Sequence, residues 1–144
     1  MTAEQFYEMQ PIAVFGVSSM GRGFGALAFK ELLKAGIHCY AVNPKGGVAA
    51  GEVVYPALRE LPEAAKSAVI LIREEGALQA VEECSRHHVT HVWLQGGSDT
   101  AEVRRICGEL KIEVVRGECI LLRKGGFPHN IHRFFRDLFS RKTK

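Results

Sequence analysis

Four apolar, branched runs constrain this chain most: Ile12 to Val17 (IAVFGV), Ile37 to Val42 (IHCYAV), Ala68 to Ile72 (AVILI) and His91 to Gln95 (HVWLQ). A fifth, Ile112 to Val115 (IEVV), is shorter. The runs are near-continuous rather than alternating, which suits strands covered on both faces, as in a parallel sheet. Stripes of helical period lie between them. Phe24, Leu27, Ala28, Leu32 and Ala35 step by three and four, with Gly36 where a C-terminal glycine cap falls. Ala77, Ala80, Val81, Cys84 and His88 make a second stripe. Val103, Ile106, Cys107 and Leu110 make a third, entered through Ser98 or Asp99, with Glu102 at capping-box spacing from Asp99. Pro44 to Ala65 reads as a loop and then a short helical turn between Pro56 and Pro62. Strands and helices that alternate in this way, joined by right-handed crossovers, predict an α/β fold. Its open parallel sheet has about five strands in the order 3-2-1-4-5, with helices on both faces.

The 144 residues allow one domain, taken as 1–144. No apolar run approaches the roughly 20 residues that cross a bilayer. Met1 to Gln10 holds two acids and no Lys or Arg, unlike a secretory signal, so a soluble cytoplasmic protein is expected. Cys39, Cys84, Cys107 and Cys119 lie far apart without a C-x-x-C pair, which argues against a redox couple or a zinc knuckle. Charge is unevenly spread. Arg123 to Lys144 holds seven Lys or Arg against one acid, a net +6, and the remainder holds 12 bases and 15 acids, a net −3. A basic tail on a mildly acidic domain is a weaker nucleic-acid signal than a basic face throughout.

In such a sheet, ligands bind beyond the carboxyl ends of the strands where the order reverses, here the end of the first strand. That end carries VFGVSSMGRGFG, Val14 to Gly25. Gly16-x-Ser18-x-x-Gly21 reads as a dinucleotide fingerprint with serine at its second glycine. The first glycine permits the tight turn, the second a close approach of diphosphate to backbone, and the third close packing of helix on strand. Amides at the following helix start, the helix dipole and Arg22 all favour an anion there. Arg22-Gly23 stands where a P-loop requires Lys and then Ser or Thr. Met20 stands where a nucleophile elbow requires glycine. Neither ATP hydrolysis nor esterase chemistry is favoured.

The second strand bears on the choice of ligand. NAD sites end this strand with an acid for the ribose hydroxyls, but here it runs Val42-Asn43-Pro44-Lys45. A neutral Asn followed by Lys tolerates a phosphorylated ribose, as in NADP or coenzyme A. Asn43-Pro44 is also a common turn starter.

Together FGVSSMGRGFG, AVNPK, ILIR after the third strand, VWLQGG after the fourth and GECI near the fifth resemble the small single-domain CoA-binding proteins. Those proteins share a Rossmann-like fold with the CoA-binding domain of succinyl-CoA synthetase. The resemblance runs from about Ile12 to Leu121, and Asn43-Pro44 with Gln95 is its most specific part. It implies that Gly16, Val17, Ser18, Ser19, Arg22 and Gly23 hold the diphosphate of coenzyme A, with Asn43, Pro44 and Lys45 beside its adenosine and 3′-phosphate. Ile72 and Arg73 would face the nucleotide and pantetheine, Gln95 and Gly96 would close the other side, and Cys119 would lie at the edge.

Other residues invite chemistry less well. Cys84, His87, His88 and His91 do not complete a tetrahedral metal set, since Cys84 and His88 fall on an apolar helix stripe while His87 points elsewhere. Ile131, Phe134, Phe135, Leu138 and Phe139 form an amphipathic stripe on a helix expected at about 128–141. It would bury on the sheet or against a second copy of the chain, leaving its basic residues solvated. Ser18, Arg22, Asn43, Arg73 and Gln95 contain no nucleophile paired with a general base. The expected function is binding of coenzyme A or an acyl-CoA without evident catalytic machinery. An NADP-dependent reductase is the alternative, and a nucleic-acid-binding protein acting through the tail is a third reading.

Overall fold

The structure, a computed structural model, describes residues 3–20 and 22–115. Gly21, Cys119 and the helix expected at 128–141 lie outside the described residues. The described elements run α1 (Ala3–Tyr7), β1 (Ile12–Phe15), α2 (Gly23–Lys34), β2 (Cys39–Val42), β3 (Gly47–Ala49), β4 (Glu52–Tyr55), β5 (Ser67–Ile70), α3 (Glu74–Arg86), β6 (His91–Leu94), α4 (Ala101–Glu109) and β7 (Glu113–Val115). Short 3-10 turns occur at Leu58–Glu60 and Gly96–Ser98. One sheet holds all seven strands in the order β3-β4-β2-β1-β5-β6-β7. Neighbours are parallel except β3, which is antiparallel to β4.

The apolar runs lack alternation because both faces are covered. Ile12 and Val14 of β1 pack with Phe29 and Leu32 of α2, while Ala13 and Phe15 pack with Ala77 and Val81 of α3. Val69 of β5 and Trp93 of β6 face the α2 side, and Ala68, Ile70, Val92 and Leu94 face α3 and α4. The fold class is the expected α/β sheet, Rossmann-like in its parallel core. At about 25 cal/mol per Å² of apolar area buried, two such layers supply most of the favourable folding free energy.

Strand count and order differ from expectation. The run at 67–70 pairs with β1, not on the outer edge of β2, because β4 already occupies that edge. Pro44 to Ala65 therefore contains two strands as well as the 3-10 turn. The chain leaves β2, crosses the end of β4 to reach β3, and turns back at Ala50 and Gly51, both with positive φ. β3 is three residues long and contains a glycine, too short a pattern to register as a strand. Val48 and Val53 face each other across this edge hairpin and remain exposed. The short α1 was also unmarked by any stripe, yet it buries Phe6 and Tyr7 against Trp93.

Two helix boundaries shift as well. α3 ends at Arg86, so His88 falls beyond the helix in a left-handed conformation and is exposed, and the stripe stops at the buried Cys84. α4 is capped by Thr100, whose hydroxyl accepts from Val103 N at 3.2 Å. Asp99 instead pairs with Arg104 at 3.2 Å. Thr100→Ala should cost about 1 kcal/mol in denaturant unfolding through loss of the cap, while Asp99→Ala, losing a partly exposed ion pair, should cost well under that.

Candidate functional site

The sheet order creates one crevice. α2 leaves β1 over one face and returns to β2, whereas α3 leaves β5 over the other face and leads to β6, so the carboxyl ends of adjacent β1 and β5 diverge. This is the topological switch point of an open α/β sheet. Gly16 sits there with φ +101°, a conformation costly for any residue with a side chain. A Cβ on Gly16 would also lie 3.1 Å from the Leu71 carbonyl carbon and 3.3 Å from Ile72 Cγ1. The expectation of a tight first-glycine turn therefore fits the geometry. Close packing of the helix falls on Gly25, where a Cβ would sit 2.0 Å from the Gly16 carbonyl oxygen. Gly25 carried no assigned role in the sequence, since the fingerprint spacing pointed to Gly21.

The start of α2 is left open to an anion. Its N-cap is Arg22, which makes no side-chain capping bond, and its first turn holds no acid. Arg is a poor N-cap because it has no acceptor for the free first-turn amides, and those amides carry the positive end of the helix dipole. α3 also begins after an arginine, Arg73, without a side-chain cap, although Glu74 and Glu75 occupy its first turn. The side chains of Arg22, Lys45 and Arg73 have no ion-pair or hydrogen-bond partner among the described residues. All three follow strands at the same end of the sheet.

The remaining residues form a contact chain along this end. Asn43 Nδ2 donates to Val17 O at 3.0 Å, and its Oδ1 accepts from Lys45 N at 3.0 Å. Ser18 Oγ accepts from Met20 N at 3.1 Å. Val17 itself is fully buried, and its carbonyl is taken by Asn43. Pro44 and Lys45 are exposed. On the other side, Arg73 lies over Gly97, whose Cβ would meet Arg73 Cγ at 3.4 Å. Gln95 is buried and accepts from the Ser98 amide, and Gly96 has φ +64°. The structure thus brings Gly16, Val17, Ser18, Ser19, Asn43 and Lys45 together, with Ile72 beside Gly16, and sets Arg73 against the 95–98 turn.

Ser98 was expected only as a possible helix start. It is fully buried, and its hydroxyl donates to Ile70 O at 2.6 Å and accepts from Gln95 N at 2.9 Å. That bond ties the ends of β5 and β6 and holds the Gln95–Gly97 turn. Gln95 and Ser98 make a reciprocal capping box with the residue types inverted from the usual Ser/Thr-x-x-Glu/Gln order, so the sequence carried no ready signal for it. Ser98→Ala should lower stability by about 1 to 3 kcal/mol in denaturant unfolding, since it leaves buried backbone groups unpaired.

The three thiols among the described residues are not part of this site. Burial, with smaller contributions from neighbouring carboxylates, pushes Cys39 and Cys84 up to about 12, and burial pushes Cys107 up to about 11. All three are free and buried. Their folded pKa exceeds the ordinary value of 9.0, so their stabilising contribution is complete below about pH 9 and is lost as pH rises toward 11 to 12. Melting temperature in reducing buffer should fall between about pH 9 and about pH 11. No group of three or more His, Cys, Asp or Glu among the described residues is placed to hold a metal. A cavity of about 210 Å³ lined by Phe29, Leu33, Ile37, Cys39, Glu52 and Tyr55 lies toward the amino ends of β2 and β4, away from the crevice. No helix among the described residues is long and apolar enough to cross a membrane.

Over residues 10–124 the sequence matches the family described as CoA binding domain. It is 33% identical over 86 residues to acetate–CoA ligase (ADP-forming) I of Archaeoglobus fulgidus, covering 60% of this chain and 13% of that protein. Among solved structures, a conserved hypothetical protein from Pyrococcus furiosus superposes with a TM-score of 0.69 at 29% identity, over 76% of this chain and 94% of that one. A hypothetical protein from Pyrococcus horikoshii OT3 superposes with a TM-score of 0.72 at 23% identity, over 83% and 87%.

Proposed function

The chain belongs to the CoA binding domain family, and from that premise we propose that the crevice between β1 and β5 binds coenzyme A or an acyl-CoA. The observation that carries this reading is the N-terminus of α2: no side-chain cap, no acid in its first turn, an arginine at the cap position, and two further cations at the same sheet end that are unpaired among the described residues. A diphosphate supplies acceptors at this helix start, and hydrogen bonds to a charged group are worth about 1.5 to 3 kcal/mol each.

In this reading the backbone of Ser18, Ser19 and Gly23, with the Arg22 guanidinium, holds the diphosphate, and Gly16 and Val17 shape the turn that presents them, through Gly16 N to Val42 O and Asn43 Nδ2 to Val17 O. Lys45 meets the 3′-phosphate, beside Asn43 and Pro44. Ile72 supplies apolar wall beside Arg73, and Gln95 and Gly96 border the pantetheine side. The residues fit the group, because Arg22 stands at a helix start with no side-chain cap and no acid in its first turn, and the second strand is followed by Asn43 with no carboxylate to repel a phosphorylated ribose. Coenzyme A, when bound, would contribute a thiol able to carry an acyl group. The protein holds the nucleotide end and leaves the thiol chemistry to other groups, since Ser18, Arg22, Asn43, Arg73 and Gln95 offer no acid–base pair. The match to the Archaeoglobus relative spans only 13% of that protein's length.

Calorimetric titration with CoA, dephospho-CoA, NADP and NAD is the direct test. CoA should bind most tightly and NAD most weakly, and equal binding of NAD and CoA would overturn the reading. NADP above CoA would favour the reductase alternative. Arg22→Glu should weaken CoA by about 1 to 3 kcal/mol while the protein stays folded.

A further inference from the structure

The hairpin β3–β4 replaces a helix in the crossover that follows β2, and its entry brings two residues against the phosphate-side loop. Asn43 is engaged on every side. Its backbone N donates to Tyr55 O at 2.9 Å, its carbonyl accepts from Gly46 N at 2.8 Å, and its side-chain amide joins Lys45 N to Val17 O. This side-chain bridge spans 26 residues of sequence between two loops that share no strand pairing of their own. Gly47, with φ +107°, lies against Ser19: a Cβ there would come within 2.4 Å of Ser19 Cβ and 3.2 Å of its hydroxyl. Under 3.0 Å something must move, and the nearest candidate is the 17–20 loop itself.

We infer that Asn43 and Gly47 are positioning residues, which set the shape of the 17–20 loop from the side of the β3–β4 hairpin and do not read the ligand. The inference rests on the CoA reading above and deepens it. Asn43 pulls the loop in through the Val17 carbonyl. Gly47 leaves the space into which Ser19 settles. Selectivity for a phosphorylated ribose then belongs to Lys45, whose ammonium is exposed and unpaired among the described residues.

The distinction is measurable because CoA and dephospho-CoA share the diphosphate and differ in the 3′-phosphate. Wild type, Asn43→Ala, Gly47→Ala and Lys45→Gln are titrated with both ligands, with circular dichroism melts to establish folding. Asn43→Ala and Gly47→Ala should each weaken both ligands by the same factor, about three- to ten-fold, the effect of roughly one hydrogen bond. Their CoA to dephospho-CoA ratio should match that of wild type. Lys45→Gln should lower that ratio. In the ligand-free protein, Asn43→Ala should also speed hydrogen exchange of the Met20 amide, which is bonded to Ser18 Oγ. A ratio that collapses in Asn43→Ala, or unchanged affinity and exchange in a folded variant, overturns the positioning role while leaving the CoA reading intact. Should Asn43→Ala fail to fold, Gly47→Ala carries the same test. Wild type that binds neither ligand removes the CoA reading and this inference with it.

Discussion

The Gly16 carbonyl oxygen lies where a methyl group on Gly25 would reach it at 2.0 Å. That approach lets α2 begin directly above the end of β1, and much else follows from it. The helix can then cover Ile12 and Val14 on one face and return a parallel β2 at the required spacing. It also aims the amides of its first turn at the crevice that opens between β1 and β5. A side chain at Gly25 would push the helix outward and separate its amides from the turn they serve, and one at Gly16 would meet Leu71 and Ile72 beyond β5.

The electrostatics of the crevice depend on what is missing from its capping positions. α4, which points its N-terminus at no proposed ligand, is capped by Thr100 in the ordinary way. α2 starts after an arginine and α3 after another, and neither guanidinium can satisfy a backbone amide. Glu74 and Glu75 temper the second helix start, so the first is the stronger anion site. Polar support lies one layer further in, where Ser98 and Asn43 hold their respective turns by bonds to backbone carbonyls. These two residues spend their hydrogen bonds inside the protein, and the outward-facing groups are the cations and the loop amides.

Legibility followed pattern length. The runs at 12–17, 68–72 and 91–95 are long and branched enough that burial on both faces was readable, and all became central strands. The helix stripe from Val103 to Leu110 is buried or half-buried as expected, whereas the buried face of α2 takes in Gly25, Ala26, Phe29 and Glu31 beside Ala28 and Leu32, and leaves Phe24, Leu27 and Ala35 half-buried. GVA at 47–49 and EVVY at 52–55 were read as loop, because three or four residues with glycines around them resemble a turn until a partner strand is known. Missing β4 displaced the third run to the wrong edge of the sheet. The error did not move the predicted crevice, because β1 remained the strand beside which the order reverses.

Residue chemistry along the chain was enough to establish an α/β layering, a glycine turn after the opening strand, a cation beside it, and a second strand that ends without an acid. Those features are local: each depends on side-chain period, backbone permissiveness or charge at neighbouring positions. The pairing of β5 with β1, the bridge from Asn43 to Val17, the contact of Gly47 with Ser19 and the burial of Ser98 under Ile70 emerged only from the folded arrangement. They join segments separated by 26 or more residues, and no local period encodes which of several equally apolar edges or open turns will meet once the layers pack.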